Sequence, residues 1–258
     1  ATITATNGAQ FLVTPNSVYE YDMTSHARTL KKRQPVLGGY DPARYRCEQI
    51  MARADDGTDV PVSLVWRTDR RGQGPKPLLL YGYGAYGLPM DVYFSSARVS
   101  LLDRGVIFAI AHVRGGGDRG RVWYDDGKLA RKMNSFTDFI ACAEYLIAQR
   151  WTAPDRLGIQ GGSAGGILVG RAMTERPDLF AAVVVLVGDL DTVRMELAAN
   201  GPGNVPEFGS RSTEAGFRAL LAMSTYHQIK DGVKYPAVLL THGVNDPRVE
   251  VWHSSKAA

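Results

Sequence analysis

The segment Gln160-Gly161-Gly162-Ser163-Ala164-Gly165-Gly166 sets a serine between glycines placed two residues away on either side. It follows the apolar run Leu157-Gly158-Ile159 and precedes Ile167-Leu168-Val169. That is the composition of a nucleophile elbow. A strand-to-helix turn this tight has no room for flanking side chains, and it lifts the serine hydroxyl into the open. A helix starting at Ala164 would also aim backbone N–H groups at the place where negative charge develops during acyl transfer. The competing reading is a phosphate loop or simple turn chemistry. No lysine accompanies these glycines as in a P-loop, and no G-x-G-x-x-G follows the first parallel strand.

A serine hydroxyl needs a base, and the base needs an orienting carboxylate. In an elbow fold the chain order is serine, acid, histidine. The run Ala237 to Thr241 ends in His242-Gly243-Val244-Asn245-Asp246-Pro247-Arg248, which makes Asp246 the candidate acid; a turn or cap aspartate ahead of Pro247 is its bland alternative. The base is harder to find. Only His253 follows Asp246, inside a segment (250–258) that reads as a helix, and it is expected on that helix's surface. His112 and His242 sit at strand ends and read as packed or structural, while His26 and His227 have no supporting context. The sequence therefore predicts that the catalytic histidine is missing from these 258 residues, and that the chain as isolated is nearly inactive.

The elements that must position these groups alternate from residue 76 onward. Leu78–Tyr81, Val106–Ala111, Leu157–Gln160, Ala182–Val187 and Ala237–Thr241 are continuous apolar runs, the pattern of strands covered on both faces. Helical patterns lie between them. The clearest has Phe136, Ile140, Ala143 and Ile147 on one face, with Ser135 and Asp138 at capping-box spacing. Strand-helix alternation predicts an α/β fold with a doubly wound, mostly parallel sheet. The first third differs. Phe11–Val13 and Ser17–Tyr21 are short β-type runs, Arg28 to Arg33 running into Gly38-Gly39 reads as a linker, and 46–53 with 60–67 form a hairpin about Asp55-Asp56-Gly57-Thr58. Two or three lone strands cannot bury a core, so residues 1–35 are expected to belong to a larger β-rich body.

Composition narrows the class. Thirty Lys+Arg against 26 Asp+Glu give a net charge of +4, scattered rather than clustered, so no nucleic-acid partner is expected. The apolar runs are too short to span a bilayer. Two cysteines make neither a disulfide framework nor a zinc site, and no metal or cofactor is implied. The chain starts at Ala1 without a signal pattern and reads as a piece of something longer. Localisation stays open, with cytoplasmic as the default, and so does oligomeric state.

Taken together, Tyr81-Gly82-Tyr83-Gly84-Ala85-Tyr86-Gly87, Val113-Arg114-Gly115-Gly116-Gly117-Asp118, Trp123 to Lys128, Asn134 to Phe139, the elbow, and Asn245-Asp246-Pro247-Arg248-Val249 resemble the prolyl oligopeptidase family of serine peptidases. The likeness runs from about residue 36 to 258 and implies an α/β-hydrolase domain there. It implies the end of a β-propeller over 1–35. By position, Ser163 corresponds to the nucleophile and Asp246 to the triad acid. Tyr83 and the N–H of Ala164 correspond to the oxyanion hole, and Arg248 to an arginine that binds a substrate carbonyl. The implied substrates are short peptides. Specificity is not secured. The stretch Gly201 to Gly209 lacks the tryptophan of members that cut after proline. It carries one acid, Glu207, where members that cut after Lys or Arg have several. Glu207 is thus the candidate partner of a substrate cation. Arg114 is expected to be a structural ion-pair partner. An esterase or acylaminoacyl-type hydrolase, or a non-catalytic interaction protein, are the alternative readings.

Overall fold

The computed structural model describes residues 12–258. Seven strands form one sheet: β3 (Tyr45–Arg53), β4 (Asp59–Arg67), β5 (Leu78–Tyr81), β6 (Ile107–Ala111), β7 (Leu157–Gly162), β8 (Ala182–Leu186) and β9 (Ala237–Thr241). Their order is β3-β4-β6-β5-β7-β8-β9. β3 and β4 pair antiparallel as a hairpin, closed through the Ala54 N–H to Thr58 O bond with Gly57 at φ 84°. β4 meets β6 antiparallel, and every pairing from β6 through β9 is parallel. The apolar runs β5 and β6 become buried parallel strands because their alternate residues face two separate hydrophobic clusters, one on each side of the sheet. The helix Ser96–Asp103 packs on β4 and β6, whereas Met133–Ala148 and Ala164–Glu175 pack together, the first against β3 and β4 and the second against β7 and β8. Phe139, Leu146, Leu157, Ile159, Ile167 and Leu168 sit almost fully buried in the larger core.

Four expectations change. Arg28–Arg33 is not a linker but a strand, β2, antiparallel to β1 (Ser17–Tyr21) in a separate two-stranded sheet. All six β2 side chains are exposed, so its charges cost nothing to hold there. Phe11 lies outside the described residues, and Leu12 and Val13 form no strand; they pack with Tyr45, Val65 and Phe108 instead. The capping box dissolves, because the helix begins at Met133, two residues before Ser135. Ser135 Oγ donates to Arg114 O at 2.6 Å, and Asp138 accepts from the Arg114 backbone N–H and guanidinium, so both side chains serve tertiary contacts. Finally, β9 is a strand but an uncovered one at the sheet edge, with Leu239 56% exposed.

Candidate catalytic site

Because β5, β7, β8 and β9 run parallel, their carboxyl ends open on one edge, and the loops leaving them carry the groups singled out by sequence. Such an edge, where neighbouring crossovers diverge, is where open α/β sheets place ligands. Ser163 lies between β7 and the helix Ala164–Glu175 with φ 54° and ψ −122°, a left-handed conformation that a non-glycine residue holds at a cost on the order of 1–3 kcal/mol. The surroundings enforce it. Its N–H donates to Leu186 O at 2.9 Å, while its carbonyl accepts from Gly166 N–H at 2.8 Å and Asp189 N–H at 3.3 Å. The flanking glycines are required by space. A Cβ on Gly161 would stand 2.1 Å from Gly165 O, and one on Gly165 would stand 2.8 Å from Gly82 O and 3.3 Å from Tyr83 Cα.

That close approach brings the loop after β5 against the elbow. Tyr83 packs against the elbow at Gly165. Its half-buried phenol lies within the influence of the Ser163 side chain, which favours the ionised form, while burial dominates and pushes its pKa up. Ala164 is buried and opens the helix, so its N–H has no intrahelical acceptor. Past β9, Asp246 Oδ1 accepts from the N–H groups of Arg248 at 2.9 Å and Val249 at 3.0 Å. These backbone bonds hold its carboxyl below the usual range. Arg248 is exposed, yet its charge reaches both Tyr83 and Asp189. The structure thus gathers Ser163, Tyr83, Ala164, Asp246 and Arg248 on one edge.

Two predicted placements are corrected. Glu207 is not free to meet a substrate cation: it is 2% exposed, its Oε2 accepts from Tyr124 O–H at 2.8 Å, and its Oε1 accepts from Lys132 Nζ at 3.3 Å. A buried carboxylate needs such compensation, and Lys132 already supplies it. His253 is not a surface residue. It is 1% exposed beneath Trp252, whose ring stacks on it at 3.8 Å. Its Nδ1 accepts from Asp191 N–H at 3.2 Å, and burial pushes its pKa down to about 4.

The other histidines are engaged away from Ser163. His112 joins Ser63 Oγ at 2.8 Å and Asp118 at 2.7 Å, which makes it structural as expected. His242 joins Ser254 Oγ and Val249 O, His227 joins Ser224 Oγ, and His26 joins Tyr21 O–H. Arg114 is likewise structural, paired with Asp138 and Asp56.

Sequence reasoning missed three residues beside the elbow. Val187 adopts φ 46°, which a β-branched residue tolerates only under external constraint, and this turn delivers the Asp189 N–H to Ser163 O. Asp189 is 5% exposed, and burial, helped by the charges of Glu250 and Asp246, pushes its carboxyl up to about 7. Lys132 is buried behind the loop carrying Tyr83; burial pulls its ammonium down to about 8, against the opposing pull of Glu207. Only the Val-Gly-Asp sequence after a strand could have hinted at the first two. Among the described residues no group of His, Cys, Asp and Glu has the arrangement of a metal site.

A mostly parallel sheet with a strained serine elbow at its carboxyl edge defines an α/β hydrolase. Within that class the chain belongs to the prolyl oligopeptidase family, whose sequence model matches residues 92–258. It is 40% identical to dipeptidyl aminopeptidase BI of Pseudoxanthomonas mexicana and 37% identical to protease 2 of Moraxella lacunata, over 95% of its own length in both cases. The structure of oligopeptidase B from Leishmania major superposes on 95% of the chain with a TM-score of 0.90 and 38% identity. The chain spans 34–36% of the length of these three proteins.

Proposed function

We propose that this chain is the catalytic portion of a serine peptidase that hydrolyses short peptides through an acyl-enzyme on Ser163. The observation that carries the reading is Ser163 itself, held at φ 54° at the start of a helix with Tyr83 packed against the elbow at Gly165. In the proposed cycle Ser163 Oγ attacks the substrate carbonyl carbon and its proton passes to a histidine. The C=O π electrons move to oxygen, which accepts hydrogen bonds from Tyr83 O–H and Ala164 N–H. One such donor is worth about 3 kcal/mol of barrier. Collapse expels the amine, which takes the proton from the imidazolium, and water then releases the acyl group by the same steps in reverse roles.

Asp246 suits the orienting acid. Its two backbone bonds both go to Oδ1, so Oδ2 remains available for an imidazole N–H, and the lowered pKa keeps it anionic beside an imidazolium. Arg248, exposed and within electrostatic reach of Tyr83, suits a grip on a substrate carbonyl. Four of the five histidines are hydrogen-bonded through their side chains elsewhere, and His253 is sealed beneath Trp252 with its Nε2 unpartnered, which supports a base from outside these 258 residues. For the same reason the isolated chain is expected to be nearly inactive. Residues 1–35 are read as the end of a β-propeller, in keeping with the separate β1–β2 sheet.

The test is labelling of the intact protein with a fluorophosphonate, followed by turnover of peptide and ester substrates. Wild type should label at Ser163 and cleave peptides, whereas Ser163→Ala should label nowhere and lose roughly 10⁴-fold or more in kcat. Folded protein that never labels overturns the hydrolase reading. Ester cleavage without peptide cleavage overturns the peptidase reading.

A further inference from the structure

The loop that carries Tyr83 is fastened from behind by groups that never face the substrate edge. Lys132 Nζ, 2% exposed, donates to Gly84 O, to Gly127 O at 3.0 Å and to Glu207 Oε1 at 3.3 Å. Glu207 stands on the short helix Val205–Phe208, within the segment that follows β8, and its other oxygen accepts from Tyr124 O–H, which Lys128 Nζ contacts in turn at 3.1 Å. Phe208, fully buried, presents its ring to Lys132 at 5.3 Å and packs edge-on to Tyr86 at 5.6 Å. Tyr86 O–H donates to Asn204 Oδ1 at 2.8 Å from the same segment. Gly84 (φ 68°) takes the left-handed region freely, but Tyr86 (φ 59°) is a non-glycine residue there, a conformation it would not favour unaided.

We propose that the buried Lys132–Glu207 pair is a positioning device that holds the Tyr83 hydroxyl in register with Ser163, by clamping the peptide after Gly84 to the segment following β8. This rests on Tyr83 serving as an oxyanion donor. Replacing a buried ion pair with apolar groups is often neutral or stabilising, so stability alone does not account for placing a lysine and a glutamate here. A clamp, by contrast, uses what the pair does well. The ammonium has three donors, and all three are spent on two backbone carbonyls and one carboxylate drawn from three separate segments. One of those carbonyls belongs to the residue directly after Tyr83. Oxyanion stabilisation depends on donors fixed before the charge forms, and a small displacement of the phenol forfeits it without altering how the substrate is held elsewhere.

The experiment is a double-mutant cycle in the intact protein, read by kcat, KM, affinity for a peptidyl aldehyde and fluorophosphonate labelling. Glu207→Gln keeps the shape and the Tyr124 contact while removing the charge; Lys132→Met removes the donors. Each should lower kcat by roughly tenfold to a hundredfold and weaken the aldehyde by a similar factor, because its hemiacetal oxygen occupies the oxyanion hole. KM should stay within about twofold. In a Tyr83→Phe background the same changes should cost less than about twofold, since the group they position is gone. Lys132→Met combined with Glu207→Gln leaves no unpaired buried charge, and should restore the melting temperature without restoring kcat. Losses that multiply undiminished with Tyr83→Phe, or that fall on KM and melting temperature with kcat intact, overturn the inference while labelling of wild type still upholds Ser163. Wild type that fails to label removes the Ser163 reading and the clamp with it.

Discussion

At the scale of single residues, Asp189 shows how far position overrides chemical type. Its carboxyl is buried beside the elbow and raised to about 7, first by burial and then by the charges of Glu250 and Asp246, with Arg248 opposing. An unfolded aspartate titrates near about 4. Between those values the folded chain keeps a proton that the unfolded chain has released, so this group's contribution to stability falls as pH rises through the window and levels off above it. Asp189→Asn, which mimics the protonated form, should therefore gain melting temperature over wild type progressively from pH 4 to 7 and no further beyond. A difference that is flat across that series would show that Asp189 does not titrate in the window. The sequence offered no view of this, because an aspartate after Val-Gly reads the same whether solvated or buried. Ser163 was legible for the opposite reason: its backbone strain excludes side chains at Gly161 and Gly165, and that exclusion is written into residue types at fixed spacing. The Glu207 charge was visible but its partner was not, since Lys132 lies 75 residues away and only the fold brings the two together.

At the scale of elements, the parallel strands of the main sheet were readable to within a residue or two, whereas the charged β2 and the short run at Leu12-Val13 were not. Continuous apolar runs such as Leu78–Tyr81 have one way to be buried in a parallel sheet, and β5 occupies that span. Helix starts were not readable. Ser135 and Asp138 have the residue types of a cap, but a cap motif carries no information on whether a guanidinium will arrive from elsewhere. Here Arg114 does arrive. Asp138, with no exposed surface, accepts from its backbone N–H at 2.9 Å and from Nε and Nη2, and so ties the loop after β6 to the helix Met133–Ala148. Burial raises the Asp138 pKa and these bonds oppose it, as a compensated buried charge requires. Removing one partner strands the other. Asp138→Ala should cost about 3–5 kcal/mol in urea unfolding, whereas Arg114→Met with Asp138→Leu should recover most of that loss. Equal losses for the single and the double variant would place the cost in packing rather than in an orphaned charge.

At the scale of the whole molecule, the two edges of the sheet are unlike. β3 carries Arg46, Glu48 and Arg53 with their side chains mostly exposed, and charges of this kind discourage a second strand from pairing there. β9 reads Ala-Val-Leu-Leu-Thr with no charge at all; Val238 is 44% and Leu239 56% exposed. Beside it Ile229, Tyr235, Val238 and Leu240 line an apolar cavity of about 340 Å³. An unpaired, uncharged apolar strand is a template for association, because its free N–H and C=O groups and its side chains both gain by pairing. The 258-residue chain on its own is therefore expected to self-associate through β9 at micromolar concentration. Leu239→Lys, which places a charge on an already exposed position, should return it to monomer with its circular dichroism unchanged, as measured by light scattering on a sizing column. A wild-type chain that stays monomeric across that concentration range would show that the β9 edge is protected in solution. Association that persists unchanged in Leu239→Lys would move the contact to another face.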